Sequence, residues 1–196
     1  EGRAEQCAAE ISATTAITPL KAQSMVSEAI DRWVWYAGWS DKLSAVTGAT
    51  NPVAGPYYNF TIPEPLGVVV VTASDLFIDF IDAIAAAVVS GNSVIALVDG
   101  GLSVPAMTFA EVLATSDLPA GVINILTGKK DEIAPWMASH MDIDALDISG
   151  LPAKQHGSIK VAGAENLKRI HSFKSADPGR IIAFMEAKTV WHPIGL

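Results

Sequence analysis

At 196 residues, half of them hydrophobic, the chain can bury one sizeable core, as one domain or one domain with an appendage. A formal charge of −8 argues against a nucleic-acid partner, which needs a basic face. No apolar run reaches the ~18 uninterrupted residues that would span a membrane, since Asp79 and Asp82 break the best candidate.

The opening Glu1-Gly2-Arg3-Ala4-Glu5 has neither an initiator Met nor the apolar core of a signal peptide, and reads as a piece of a longer protein. Residues 1–18 are small and polar and are expected to form a tail, poorly ordered or helical. Cys7, the one cysteine, excludes an internal disulfide and fits a reducing, cytoplasmic setting. Thr18-Pro19 is a helix-start signal, and the helix is expected to run to Val46. Met25, Val26, Ala29, Ile30, Trp33, Tyr36 and Ala37 make its apolar side, which Trp35 and Trp39 widen. Residues 49–64 change character: Asn51-Pro52, Gly55-Pro56 and Pro63 surround the strand-like Tyr57–Ile62. Flanking prolines confine such a strand to an edge or a hairpin arm, a candidate interaction surface.

The central stretch, Pro65–Val98, organises the rest. Leu66–Thr72 is a continuous run rich in β-branched valine, so both faces of that strand need cover. Phe77–Ser90 repeats apolar residues at helical spacing, Gly91-Asn92 caps it, and Ser93–Val98 is apolar again. That is the length of a parallel βαβ unit. A helix from Ser103 to Thr115, a strand at Val122–Leu126, a helix at Asp131–Ser139 and a strand at Ala145–Ile148 follow. Gly157–Ala162 is expected as a fifth strand and Glu165–Phe173 as a short helical piece. Asp177-Pro178 opens a helix to Glu186, and Ala187–His192 is a last strand with no crossover back into the sheet. The fold class is therefore α/β: a doubly wound, Rossmann-like, mostly parallel sheet with a small β arm. Its expected divisions are the 1–18 tail, a 19–173 body that includes the 49–64 arm, and a C-terminal helix and strand over 174–196.

Chemistry-bearing patterns are sparse. Cys7 lies between Glu5 and Glu10, not in the electropositive setting a nucleophilic thiolate needs. His140, His156, His171 and His192 show no ligand spacing, so no metal site is expected. Asp75 reads as a helix cap, and Asp79 with Asp82 as a solvated face. Asp99-Gly100-Gly101 ends a strand where open α/β sheets bind ligands; a turn is the default there and a small-ligand role the alternative. Asn59-Phe60-Thr61 matches a glycosylation sequon, read as coincidence without a secretory signal. Neither a Gly-x-Gly-x-x-Gly nor a Gly-x-x-x-x-Gly-Lys-Ser/Thr motif occurs.

Several motifs in order nevertheless resemble the cofactor domain of the aldehyde dehydrogenase superfamily. They are Trp35-Tyr36-Ala37-Gly38-Trp39-Ser40-Asp41-Lys42, Pro65-Leu66-Gly67-Val68-Val69, Ala83 to Asn92, Leu118 to Asn124 with Gly128, and His140 to Asp144. Lys188-Thr189-Val190-Trp191 looks like the family's C-terminal strand, which pairs across a subunit interface. The resemblance implies a catalytic domain with a nucleophilic cysteine and a glutamate base between Gly163 and Asp177, where there is no room for one. It also implies three cofactor loops, each altered here. Ser74 to Ile78 align with Pro-Trp-Asn-Phe-Pro, putting Leu76 at the asparagine. Leu97 to Gly100 stand at Lys-Pro-x-Glu, and Ile148-Ser149-Gly150-Leu151-Pro152 at the Phe-Thr-Gly-Ser turn, with Gly157 coming late.

The resemblance is strongest to the C-terminal, non-catalytic domain of family 16 aldehyde dehydrogenases. It implies no catalytic, cofactor-binding or metal residue in this chain, with Leu76, Leu97, Gly100, Ser149 and Gly150 as degenerate positions. NAD would belong to the parent enzyme. The implied partners are the catalytic module of the same protein and a second copy in a dimer, met through Tyr57, Tyr58, Phe60, Ile62, Thr189, Val190, Trp191 and His192; neither nucleic acid nor membrane is a partner. The alternatives are a module holding a small ligand or residual dinucleotide in the old cleft, and an ordinary aldehyde dehydrogenase that lacks its catalytic domain.

Overall fold

The computed structural model describes residues 1–174 and 177–195. Helices α1 (Ala4–Thr14), α2 (Pro19–Ala37) and α3 (Leu43–Thr47) lead into strands β1 (Ala49–Asn51) and β2 (Tyr57–Pro65). The body continues as β3 (Val68–Thr72), α4 (Phe77–Val89), β4 (Ser93–Val98), α5 (Ser103–Ala114), β5 (Ile123–Thr127), α6 (Lys130–Ser139), β6 (Ala145–Asp147), α7 (Ala153–Ala164) and β7 (Arg169–His171). A short α8 (Pro178–Ile182) and β8 (Met185–Pro193) close the described chain.

Strands β3 to β7 form a parallel sheet in the order β5-β4-β3-β6-β7. The chain starts in the middle, builds outward through β4 and β5, then returns to build the other half. The direction reverses between β3 and β6, and open α/β sheets take their ligands at such a switch point. The β-branched run of β3 is dictated by this central place, for Val69, Val70 and Val71 are all fully buried. On one face Val69, Val71, Val94, Ala96 and Val98 meet α1, α2, α4 and α5. On the other, Val70, Leu97, Leu146 and Ile148 meet α6 and α7. Alanines 83, 86 and 87 of α4 have no exposed surface, and their small side chains let the helix lie close to its neighbours.

Four expectations change. Residues 1–18 hold a helix, the second of the two forms expected, but not a tail apart from the body: α1 buries Cys7, Ala8 and Ile11 in the main core. The long helix over 19–46 breaks at Gly38, whose amide closes on Val34, and α3 is a separate turn of helix. Gly157–Ala162 is helical within α7, and the expected helical piece over 165–173 holds β7 instead. The alternation of Ile159 and Val161 with polar neighbours mimics a strand, yet Ile159 is buried while Val161 is 73% exposed. A parallel β7 beside β6 requires a crossover helix between them.

The fourth concerns the arm. Strand β2 is neither an edge nor half of a simple hairpin; it is the middle of an antiparallel sheet, β1-β2-β8. β1 covers only residues 59–61 of β2, so Pro63 and Pro65 stand where the strand has a single neighbour, β8. Proline is tolerated where its missing donor faces away from the ladder. The C-terminal segment leaves the parallel sheet for this arm, but α8 roots it in the body through the fully buried Ile181 and Phe184. Asn92 holds the join, its amide donating to the Phe184 carbonyl at 3.0 Å while its oxygen accepts from the Gly67 amide at 2.9 Å. Within the expected 174–196 unit, Ser175, Ala176 and Leu196 lie outside the described residues.

Candidate functional site

The carboxyl ends of β3, β4 and β6 converge at the switch point, and the chain's own groups occupy them. Gly150, just past β6, donates its amide to the Thr72 carbonyl at 2.8 Å. A Cβ on it would lie 1.9 Å from the Ala73 carbonyl oxygen, so only glycine lets the two strand ends touch. Lys130, the first residue of α6, reaches over the ends of β3 and β4. Its Nζ donates to the Ala73 carbonyl at 2.9 Å and lies 3.2 Å from Asp75 and 3.1 Å from Asp99, with the side chain only 8% exposed. Asp75 is thus an ion-pair partner and not the expected cap. No side chain caps α4, whose N-cap is Leu76; the Ser74 hydroxyl bonds Asp79 and accepts from the Leu76 amide at 3.3 Å.

Below this lid, the fully buried Asp147 pairs with Arg180 of α8 at 2.6 Å and accepts from the Ser149 amide at 2.9 Å. Ser149 Oγ in turn accepts from the Phe173 amide at 2.7 Å, and the Arg180 guanidinium lies 5.1 Å from the centre of the Phe173 ring. The space left between the β3 and β6 ends is about 70 Å³, bounded by Ser74, Asp79, Asp82, Ser149, Phe173 and Arg180. Asp82 is not on a solvated face. It is 5% exposed, its Oδ1 has no hydrogen-bond partner, and burial raises its pKa against the opposing pull of Arg32 and Arg180. The hydroxyl of Tyr36 and the Nε of Arg180 are likewise buried without partners.

The five positions expected to be degenerate fall on this rim or beneath it. Leu76 is 41% exposed at the start of α4, whereas Leu97 is buried against the α6–α7 layer. Gly100 opens a 3-10 turn whose next residue, Gly101, accepts a hydrogen bond from Thr14 of α1 at 2.6 Å. Asp99 is held by Lys130, so the Asp99-Gly100-Gly101 end of β4 is occupied by side chains of the same chain. Ser149 and Gly150 make the contacts described above.

Elsewhere, burial and then the Glu10 charge push the Cys7 thiol up to about 12, so it stays neutral. Among the described residues no three His, Cys, Asp or Glu side chains could hold a metal ion, and no helix is long and apolar enough to cross a membrane. Asn59 of the sequon is 2% exposed and accepts from Asn51 Nδ2 at 2.6 Å, facing inward. The expected interface residues do assemble on the arm. Tyr57 meets Trp191 edge to face at 5.9 Å, Tyr58 lies 5.4 Å from Phe60, and Thr61 bonds Thr189 at 2.9 Å. Ile62 pairs with Lys188, Phe60 with Val190 and Tyr58 with His192 across the β2–β8 ladder. Tyr57, Tyr58, Ile62 and Trp191 are all exposed.

Sequence reasoning missed Lys130, Asp147 and Arg180, whose partners lie 31 to 57 residues away in the chain. Only the paired lysines after Gly128 hinted at one of them.

Residues 1–173 match the aldehyde dehydrogenase family. The chain is 33% identical over 138 residues to retinal dehydrogenase 2 of Homo sapiens, covering 69% of this chain and 26% of that one. It is 32% identical over 138 residues to the mitochondrial aldehyde dehydrogenase of Sus scrofa, with the same coverage. It thus spans about a quarter of the length of these relatives. An aldehyde dehydrogenase of Bacillus cereus solved with NAD+ superposes with a TM-score of 0.77 at 23% identity, over 86% of this chain and 34% of that one. At that identity the likeness speaks for the fold.

Proposed function

The chain belongs to the aldehyde dehydrogenase family, and from that premise we propose that it is a non-catalytic structural domain of a larger NAD-dependent aldehyde dehydrogenase, of the family 16 C-terminal type. Aldehyde oxidation would be carried by a catalytic module of the same protein, in a reducing cytoplasmic setting. This domain would supply an oligomerisation arm, meeting that module and a second copy of itself. The observation that carries the reading is the closed switch point. About 70 Å³ remains there, against the ~300 Å³ or more that a cofactor pocket needs. Lys130, the Ser74–Asp79 pair and the Asp147–Arg180 pair stand in the way, and each would have to move before a dinucleotide could enter. The exposed aromatics of the arm support the second half of the reading, because such a surface on an antiparallel sheet favours a partner.

Calorimetric titration of the chain with NAD tests the first half. No heat of binding up to millimolar cofactor is expected; a micromolar dissociation constant overturns the reading. Light scattering tests the second half: a dimer is expected, and a strict monomer that also fails to bind a catalytic module refutes it. One observation favours the alternative of a small polar ligand, namely Asp82 Oδ1 unpartnered beside the remaining space. That volume suits on the order of a few waters, which would satisfy the oxygen equally well.

A further inference from the structure

We propose that the open recess between α1, α2, α4 and α5 is a binding site for a small hydrocarbon-bodied molecule, aromatic or acyl, with a neutral or cationic head. The cavity lies in the helical layer, away from the switch point, and the proposal does not depend on how that cleft is read. Its volume is about 580 Å³, within the ~300–1,000 Å³ of small-molecule sites. Cys7, Ala29, Phe77 and Ile81 form its floor, each no more than 7% exposed. The site is therefore a recess cut into the core and not a flat apolar face.

Stiff rings keep it open. Trp33 meets Phe109 edge to face at 5.6 Å, and Phe109 meets Phe77 at 6.4 Å and Phe80 at 5.9 Å. A lattice of rings already at good mutual angles resists collapse into the void, so the apolar wall is left for a ligand to cover.

The lining also states the ligand's chemistry. Its one buried hydroxyl, Thr108 Oγ1, is spent on Glu10 at 2.7 Å, so beyond the Trp33 indole N–H and the weak Cys7 thiol the wall offers little to a polar body. Cys7 stays a neutral thiol, so binding is reversible. At the mouth Arg3 is neutralised by Glu111, while the exposed Asp117 carboxylate makes no side-chain hydrogen bond or ion pair among the described residues. On a chain of charge −8 this entrance repels anions and suits a neutral or amine head.

The test titrates the whole chain with 1-naphthalenemethanol, 1-naphthylmethylamine and 1-naphthoate, by calorimetry and tryptophan fluorescence. Micromolar binding of the first two is expected, with the carboxylate at least about tenfold weaker. Asp117→Asn should narrow the gap between amine and alcohol. Ala29→Phe places a ring in the void and should weaken binding at least about tenfold, with the melting temperature held or raised as for other cavity-filling substitutions. Val112→Phe, on the exposed rim, repeats the block where folding is not at stake. The proposal is overturned if none of the three probes binds below millimolar, or if binding survives both filling variants. It is equally overturned if the wild-type chain is a dimer that Val112→Phe dissociates, for a second copy would then be the occupant.

Discussion

The two sheets of this protein solve opposite problems with similar residues. In the parallel sheet, Val69, Val70 and Val71 of β3 have no exposed surface, and helices cover both faces. In the arm, β2 and β8 carry Tyr57, Tyr58, Ile62 and Trp191 between 38% and 57% exposed, and the outer edge of β8 has no strand beside it among the described residues. The parallel sheet is covered on both faces, and Lys130, Asp147 and Arg180 stand over its strand ends. The arm leaves both a face and an edge unspent. On the reading proposed above, that uncovered surface is where a partner would dock.

If that division is right, damage to the body should be expensive and damage to the arm cheap. The largest expected effect is Phe80→Ala. This side chain has no exposed surface and packs within 6.0 Å of the rings of Phe77 and Phe109, so its removal should cost about 4 kcal/mol in denaturant unfolding. Next is Arg180→Met, expected to cost about 3 kcal/mol because the fully buried Asp147 loses its ion-pair partner. Adding Asp147→Leu should recover much of that loss. If Arg180→Met costs nothing, the pair does not hold α8, or the arm behind it, to the body.

The contrast between the regions also explains how far the sequence could be read. Strands β3 and β4 announced themselves through unbroken apolar runs, because a doubly buried strand has no polar side to confuse the pattern. The prolines and aromatics around Tyr57–Ile62 marked the arm in the same way. Helix α7 did not show itself: Gly157 and the alternating Ile159 and Val161 obey a strand's period, and only the need to cross from β6 to a parallel β7 makes them helical. The site was less legible still. Leu76, Leu97 and Gly100 could be named as altered positions, but what fills the cleft could not. Lys130 and Asp99, like Asp147 and Arg180, are joined by the fold alone, and Asp82 looked solvated until α2 and α8 were seen to cover it.

Asp82 gives a smaller test, one that pH can dissect. Its folded-state pKa is raised above the ordinary 3.8 by burial, so the native chain holds this proton more tightly than the unfolded chain does. The group therefore lowers stability progressively as pH rises above 3.8 through the raised value, and by a constant amount beyond it. Asp82→Asn should stabilise the protein by about 1 kcal/mol at neutral pH, the scale of one buried unpartnered oxygen. The gain should vanish well below pH 3.8, where Asp82 is protonated in the native and the unfolded state alike. An advantage that persists unchanged in acid would mean that desolvation of the carboxylate is not its source.

The smallest effect on stability is expected where the effect on assembly is largest. Trp191 is 57% exposed, touches Tyr57 across the ladder, and stands on the strand whose outer edge is free. Trp191→Lys removes an exposed ring and adds a charge of the kind that blunts an open edge. An exposed substitution of this sort moves unfolding by no more than about 0.5 kcal/mol, since neither the parallel sheet nor the Arg180 anchor is touched. The mass in light scattering should nevertheless fall to that of a monomer, or the affinity for a catalytic module should drop. A variant that unfolds easily would place Trp191 in the protein's own core, contrary to its exposure. One that stays fully assembled and fully stable would mean that the exposed aromatics of the arm are not what a partner grips.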